Sequence, residues 1–524
     1  MAVLGISWLE LVSGIHKSLH DVGSLRILAS LFWSFMAWRL AYAYFLSPLR
    51  NIQGPFLARI TSLRAIYNRA PARVATAALA DFSTYGDVYV SKPNTICISH
   101  PEDVRAVLGS HAFQKIDIYR NVQDPVMANI VTFSDIRLAS RRRKQIGPYF
   151  NLGYIAKMES LILRNGIQQI SAKWDKLLER NDNIAEINYR QDTQLATFDI
   201  MSALAFGRES RSLTTNDLTI VDWIAATAVY VGLRINFNML LVFPFSVLVR
   251  RWLDKYNEFV QYGTESVAKR KEALACCDVE TRHTDMLQAF IDAEDPESHV
   301  KMKSIEVQAE SVGMLLAGSE TTSASLTWAL HLFTLYPEYL RRAEDEIRNQ
   351  FALDHLITYD DCRTLLFLES FIYEMLRYTP ITSGFMPRFS STKGITLRNH
   401  HIPPQTEIAF NLIALNNRAD MWEHPEKFIP DRFLDNKDAR RNVFAFSYGP
   451  RSCIGRTLAW VELMTILANL LKDYNISLPK DSIYSPANVD MHGVPVLMPS
   501  KCHIVFAPIN PERDCRLVIS KRTK

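Results

Sequence analysis

The sequence predicts a mainly α-helical protein with a minor β-rich part, carried behind an N-terminal apolar helix. Three observations carry the prediction. Apolar residues recur at helical spacing through long stretches, among them 155–178, 192–206, 304–336 and 454–471, whereas period-two alternation is confined to short runs. The composition, with 48% hydrophobic and 22% charged residues and only 19 glycines in 524 positions, describes a globular chain and excludes a disordered one. The third observation is one strongly apolar run near the N-terminus. Length alone allows three average domains. No repeat, low-complexity tract or clear linker divides the chain beyond residue 58, so the expected regions are 1–47 with the apolar helix, a connector at 48–58 and one large domain at 59–524. A net charge of +4, from 59 basic and 55 acidic residues, is too small to point to nucleic acid, and no such partner is expected. Seven cysteines without a Cys-x-x-Cys pair suit a reducing compartment.

In chain order, the run Ile27–Leu46 carries a single charge, Arg39. At about 1.5 Å per residue it reaches across a hydrocarbon core of roughly 30 Å, and Trp33, Trp38, Tyr42 and Tyr44 suit membrane interfaces. Lys17 and Arg26 precede it and five arginines between Arg50 and Arg73 follow, which places the downstream chain in the cytosol by the positive-inside rule. A buried core helix is the alternative. Pro48 and Gly54-Pro55 end the run in a short stiff connector. Gly86–Ser91 and Thr95–Ser99 read as two strands around the turn at Lys92-Pro93-Asn94, Pro101–Leu108 as a short helix, and Phe113–Phe133, with Pro125 in its middle, as an irregular loop.

From Ser134 a helix carries Arg137, Arg141, Arg142, Arg143 and Lys144, which cannot all share one face because consecutive helical residues point about 100° apart. Helices follow at 155–178 and 192–206. Residues 223–248 are apolar all round, and a core helix pair is the default reading over a membrane-facing or substrate-lining surface. Residues 269–285 read as a polar surface connection. The helix at 304–336, stopped by Pro337, contains Ala317-Gly318-Ser319-Glu320-Thr321-Thr322, a poor helix centre by propensity. Thr321 follows Ala317 by four residues, so its hydroxyl can bond the Ala317 carbonyl and bend the helix to open a groove. A helix crossing that needs small residues is the structural alternative. Glu374 and Arg377 share a helix face by their spacing of three.

The densest signal is Phe446-Ser-Tyr-Gly449-Pro-Arg451-Ser-Cys453-Ile-Gly455, followed directly by a helical pattern. A cysteine there sits at a helix N-terminus, where the dipole and free N–H groups lower a thiol pKa, and Gly449 and Gly455 permit close approach to a flat ligand. A buried structural cysteine is the bland alternative. The spacing Phe-x-x-Gly-x-Arg-x-Cys-x-Gly resembles the signature of the cytochrome P450 family, and the Ala317–Thr322 segment resembles that family's oxygen-binding motif. Glu374 and Arg377 with the later Arg432 look like the family's buried triad that braces the cysteine loop.

The resemblance implies a cytochrome P450-like fold with an N-terminal transmembrane helix, and haem b (iron protoporphyrin IX) ligated by the Cys453 thiolate. It implies Arg143, Arg388 and Arg451 on the haem propionates, with Phe446, Gly449, Gly455 and Ala317 beside the cofactor. Ala139 departs from the family, which has Trp or His there on a propionate. Glu320 and Thr321 are implied as the proton relay of an O2-dependent monooxygenase acting on a hydrophobic small molecule. Thr382–Met386 and the turn Met491–Pro495 are implied to line its pocket, and the 113–133 loop to cover it. Implied partners are NADPH–cytochrome P450 reductase, with cytochrome b5 as a second donor, meeting a cationic face that includes Arg142, Lys144, Arg440 and Arg441. The implied setting is a single-pass anchor in the endoplasmic reticulum membrane with a cytosolic catalytic domain. The wording of anchor, connector and cysteine loop resembles fungal members of secondary-metabolite biosynthesis. A haem-thiolate isomerase or dehydratase without O2, and a non-enzymatic haem- or lipid-binding membrane protein, are the rival readings.

Overall fold

The computed structural model describes residues 22–122, 128–276, 283–382, 386–502 and 505–523. Lys17, Pro125, residues 383–385 of the expected pocket wall and residues 277–282 of the expected surface connection lie outside them.

Helix α1 (Val22–Ala41) continues into a π-helical turn at Tyr42–Leu46. Ile27, Leu31, Trp33, Phe35 and Trp38 along it are exposed. Among the described residues, no helix is long and apolar enough to cross a membrane. The connector is not a free tether. Leu49 and Ile52 are buried in a core, and the Val90 N–H donates to the Gln53 carbonyl at 2.8 Å. Helix α2 (Val74–Tyr85) leads into β1 (Val88–Lys92) and β2 (Thr95–Ile98), whose turn holds Asn94 at a φ of 56°. The two expected strands are therefore present. Helix α3 (Pro101–Leu108) has its expected bounds, with proline in the first turn where a missing N–H costs nothing. A short helix, α4 (Asp117–Val122), interrupts the loop expected at 113–133.

Helix α5 (Ile136–Ile146) starts at Asp135, whose carboxylate accepts from the Leu138 N–H at 2.9 Å. The pattern expected as one helix at 155–178 is two, α6 (Leu152–Asn165) and α7 (Ile167–Arg180), separated by Gly166. Strand β3 (Ile184–Asn188) precedes the almost wholly buried α8 (Tyr189–Phe206). Helix α9 (Thr219–Asn236) then gives way to two 3-10 turns, not to a second core helix. Phe237, Met239, Val242, Phe243, Val247 and Leu248 are exposed there, which corrects the core-pair reading. An apolar stretch with no polar face gives no clue to which side meets protein. After α10 (Arg250–Cys276), α11 (Ser304–Leu335) runs through the middle of the molecule, packed on α8, and ends at α12 (Pro337–Arg348).

Helix α13 (Leu366–Tyr378), strands β4 (Arg388–Phe389) and β5 (Glu407–Phe410), helix α14 (Arg456–Asp473), and strands β6 (Tyr474–Ser477) and β7 (Arg516–Lys521) complete the frame. One sheet has the order β1-β2-β5-β4, with β2 and β5 parallel. A second has the order β3-β7-β6, all antiparallel. The main core unites α6–α8 and α11–α14, with Phe333 and Phe371 stacked at 3.7 Å.

The expected triad forms. Glu374 and Arg377 pair at 2.7 Å with both side chains fully buried, and Arg432 Nε lies 3.2 Å from Glu374. Arg377 also donates to the carbonyls of Asn416, Pro425 and Lys427, so one guanidinium ties α13 to the segment leading to the cysteine loop. Such a pair is costly to break from one side, because the partner charge stays buried. Arg377→Ala is expected to lower unfolding free energy by about 3–5 kcal/mol in denaturant titrations. A loss below about 1 kcal/mol, as for an exposed pair, contradicts this bracing role.

Candidate active site

The cysteine loop is built from backbone. The Cys453 N–H donates to the Phe446 carbonyl at 2.8 Å, and Ser447, at a φ of 60°, turns the chain back. Gly449 has a φ of 72°, and a Cβ there would fall 2.3 Å from the Leu108 carbonyl oxygen, so glycine is required by both conformation and contact with α3. Gly455 differs from expectation. Its φ of −81° suits any residue, and what it leaves clear is space beside sulfur, since its Cβ would lie 3.9 Å from Cys453 Sγ. Phe446 is half-buried, with its ring 5.6 Å from the Arg456 guanidinium and 6.4 Å from the Trp460 ring.

Cys453 has open surface, yet lies deep enough that burial pushes its thiol up from the ordinary value. The Gly455 N–H, Arg143 and Arg456 pull the other way without overcoming burial. This corrects the expectation that the helix N-terminus would lower the thiol on its own. The helix begins only at Arg456, three residues on. Open surface at depth is what a cleft for a flat ligand provides, and a coordinated metal deprotonates a thiol outright.

Three expected cations gather around this loop. Arg143 donates to the Ser452 carbonyl at 2.8 Å and to its hydroxyl at 3.3 Å. Arg451 donates to the Phe133 carbonyl at 2.9 Å, and its Nη1 is buried without a hydrogen-bond partner among the described residues. Burial, Arg388 and Arg143 together push Arg451 down to about 10. Arg388 is buried on β4 and donates to the carbonyls of Met386 and Pro387. Among the described residues, none of Arg143, Arg388 and Arg451 has an ion-pair partner within 4.0 Å. An orphaned guanidinium nitrogen in a self-repelling cluster fits the two carboxylates of haem, and the open sulfur fits its iron.

On α11 the Thr321 hydroxyl donates to the Ala317 carbonyl at 2.6 Å, as the spacing of four predicts. The helix runs uninterrupted through the motif. Ala317 is exposed in a helix otherwise largely buried, so it borders an internal opening, whereas a Cβ on Gly318 would fall 2.5 Å from Met201 Cε of α8. The close helix crossing thus accounts for Gly318, and the Thr321 hydroxyl bond forms as its spacing predicts. Glu320 does not face that opening alone. Its carboxylate pairs with Arg190 of α8 at 3.0 Å and accepts from Gln194. Met491, in the turn expected to reach the pocket, is 92% exposed.

Of the four cations expected to face a redox partner, Arg142 is misassigned. It is buried, pairs with Glu306, and lies 3.3 Å from Glu310. Lys144 pairs with exposed Glu297, Arg440 with Glu369, and Arg441 with Asp438 on the surface. Sequence reasoning also missed Arg190 and Gln194, which only packing of α8 on α11 brings to Glu320.

It missed Glu462 of α14 as well, although a carboxylate inside Trp460-Val461-Glu462-Leu463 interrupts an apolar run. Both its oxygens are buried without a close partner. Burial pushes Glu462 from 4.5 up to about 8, with the Thr322 hydroxyl of α11 pulling down. A carboxyl whose folded value is raised stabilises the fold fully below its unfolded value and loses that contribution as pH rises through the folded one. Glu462→Gln is therefore expected to flatten the fall of the thermal midpoint between about pH 5 and 8, the window those values define. An unchanged slope would show that Glu462 is not neutral in the fold.

A family model described as Cytochrome P450 matches residues 80–504. The chain is 66% identical over 502 residues to cytochrome P450 monooxygenase helB2 of Aspergillus fumigatus, covering 94% of this chain and 98% of that protein. It is 48% identical over 513 residues to helB1 of the same organism, covering 98% and 88%. A more distant relative, 24% identical over 472 residues and covering 85% and 86%, is fusicoccadiene 8-ol C-16-hydroxylase of Phomopsis amygdali. With the open cysteine, the orphaned arginine and the hydroxyl-bearing helix motif in the family's order, the chain belongs to the cytochrome P450 family of haem-thiolate monooxygenases.

Proposed function

We propose that this enzyme inserts one oxygen atom from O2 into a hydrophobic small molecule of fungal secondary metabolism, of terpenoid, polyketide or alkaloid type. Electrons come from NADPH through an NADPH–cytochrome P450 reductase. In this reading the domain at 59–524 holds haem b through Cys453. Arg143, Arg388 and Arg451 take its carboxylates, and Phe446, Gly449, Gly455 and Ala317 shape the walls. When bound, the haem supplies activation of O2, with the thiolate pushing electron density onto the iron.

The single observation that carries the O2-dependent reading is the Thr321 hydroxyl bonded to the Ala317 carbonyl, on a helix packed against the one that follows Cys453. At rest the Thr321 hydroxyl keeps its proton and points it at the Ala317 carbonyl, leaving the hydroxyl oxygen open to accept. Rotation of that hydroxyl hands the proton into the opening beside Ala317. In this reading Glu320, whose side chain is 16% exposed and paired with Arg190 at 3.0 Å, resupplies that proton from solvent. An isomerase or dehydratase has no use for this relay. The hydrophobic substrate class is supported by the apolar loop residues Ile130 and Val131, which the Glu310 carboxylate fastens to α11 through the Ile130 N–H at 3.0 Å. A distant relative whose name is that of a fusicoccadiene 8-ol hydroxylase agrees with a carbon-rich substrate.

We propose further that the apolar run Ile27–Leu46, which covers most of α1 and the π-helical turn after it, anchors the chain in the endoplasmic reticulum membrane as a single pass, with the catalytic domain in the cytosol. The exposed apolar residues of α1 and the second exposed apolar surface at Phe237–Leu248 support a membrane setting.

Turnover of terpenoid, polyketide and alkaloid panels with NADPH and reductase is expected to consume O2 and yield products heavier by one oxygen. Thr321→Ala is expected to keep NADPH consumption while peroxide release rises at the expense of product. Turnover that proceeds without reductase and O2 would move the enzyme to the isomerase class, and fully coupled product formation by Thr321→Ala would remove Thr321 from the relay.

A further inference from the structure

Residues 129–133 form neither helix nor strand, yet every one of their backbone N–H groups is bonded. The Asn129 N–H donates to the Thr132 hydroxyl at 3.1 Å, and the Ile130 N–H to the Glu310 carboxylate of α11 at 3.0 Å. The Val131 and Thr132 N–H groups donate to the Asn129 side-chain carbonyl at 3.0 and 3.3 Å, and the Phe133 N–H to the Asn129 backbone carbonyl at 3.0 Å. Asn129 Nδ2 donates in turn to the Ala309 carbonyl of α11 at 3.3 Å. Two buried side chains, Asn129 and Glu310, therefore tie the segment to α11. Its seat is tight: a Cβ on Gly313 would fall 2.4 Å from Asn129 Nδ2. Gly313, Ala317 and Thr321 follow one another at a spacing of four, in one row of the helix. The segment thus crosses α11 one turn, about 6 Å, before the opening that Ala317 borders.

The attachment is charged where apolar packing would hold two elements together equally well. Arg142 of α5 lies 3.3 Å from Glu310, Glu306 stands one turn before Glu310 on α11, and the Lys115 ammonium donates to the Val131 carbonyl within the segment. A buried ion pair adds little stability over apolar packing, and its better-attested use is to select one arrangement among several. Burial pushes Glu310 up to about 7, with Arg142 and the Ile130 N–H pulling down and Glu306 pushing up. What the arrangement fixes is the place of Ile130 and Val131, the latter 51% exposed, beside the row of α11 that carries Ala317 and Thr321.

We propose that Asn129 and Glu310 are positioning residues for the substrate: they latch residues 129–133 onto α11 as an end wall of the opening beside Ala317. The inference rests on the proposed haem-thiolate reading of that opening. A neutral Glu310 accepts more weakly and no longer balances Arg142, so the latch loosens as pH falls through about 7. The test follows hydrogen exchange of residues 129–133 in the holoenzyme, corrected for the intrinsic pH dependence of exchange. Binding of imidazole and of 4-phenylimidazole is read from the haem absorbance of the same samples. Protection in the intact enzyme is expected to fall between about pH 8 and about pH 6, and Glu310→Gln, which keeps an acceptor but no charge, to remove that dependence. Asn129→Ala and Gly313→Ala are each expected to speed exchange about tenfold, the worth of one hydrogen bond. Both are expected to cut the preference for 4-phenylimidazole over imidazole about fourfold, the worth of one buried methylene. Alanine favours a helix over glycine, so G313A remains folded should N129A not accumulate. Unchanged exchange and preference in G313A, or a pH dependence that survives in E310Q, with the thiolate carbon monoxide band intact, overturns the latch. Absence of that band in the intact enzyme overturns the haem-thiolate reading, and this inference with it.

Discussion

The hydrogen bond from the Cys453 N–H to the Phe446 carbonyl closes a backbone loop around a sulfur that must be deep and open at once. Close packing normally forbids that combination, because side chains fill any space their size. Here the loop packs closely against protein on one side and leaves the sulfur open on the other. Gly449 sits against the Leu108 carbonyl with no room for a side chain, Gly455 leaves the flank of the sulfur clear, and Arg143 holds the Ser452 carbonyl next door. The triad of Glu374, Arg377 and Arg432 fixes the chain that feeds this loop. The thiol itself prefers its proton at this depth. A thiol at this depth needs a strong partner, such as a coordinated metal, to become an anion.

A second constraint follows from charge. Arg143, Arg388 and Arg451 gather near the cysteine loop, where burial disfavours each of them and Arg451 is also repelled by the other two. A fold does not collect unpaired cations at depth without an anion to receive. Binding of a dianionic cofactor relieves the repulsion, so cofactor affinity and domain stability are coupled here. Elsewhere the buried charges are neutralised inside the protein: Glu320 by Arg190, and Arg142 by Glu306 and Glu310. Burial pushes Glu310 up to about 7, with Arg142 and the Ile130 N–H pulling down.

Much of this was legible in the chain because local chemistry fixes it. The strand pair at Val88–Ile98, helix α3, the Thr321-to-Ala317 bond and the Glu374–Arg377 pair follow from spacing and turn chemistry within a few residues, whereas Arg432 as the triad's third member came from the family resemblance. What escaped depends on partners far along the chain. The run of arginines on α5 does not announce which member turns inward, and it is Arg142, met by two glutamates some 160 residues on. Apolar residues at 237–248 look like core until the absence of a facing element leaves them on the surface. Gly166 breaks a helical period that runs on smoothly to either side.

Thiolate ligation by Cys453 is tested most directly by the spectrum of the reduced protein under carbon monoxide. The intact enzyme is expected to show the red-shifted Soret band of a cysteinate ligand, and Cys453→Ser to lose that band. A spectrum of the histidine-ligated type in the intact protein, or a red-shifted band that survives in Cys453→Ser, would contradict it.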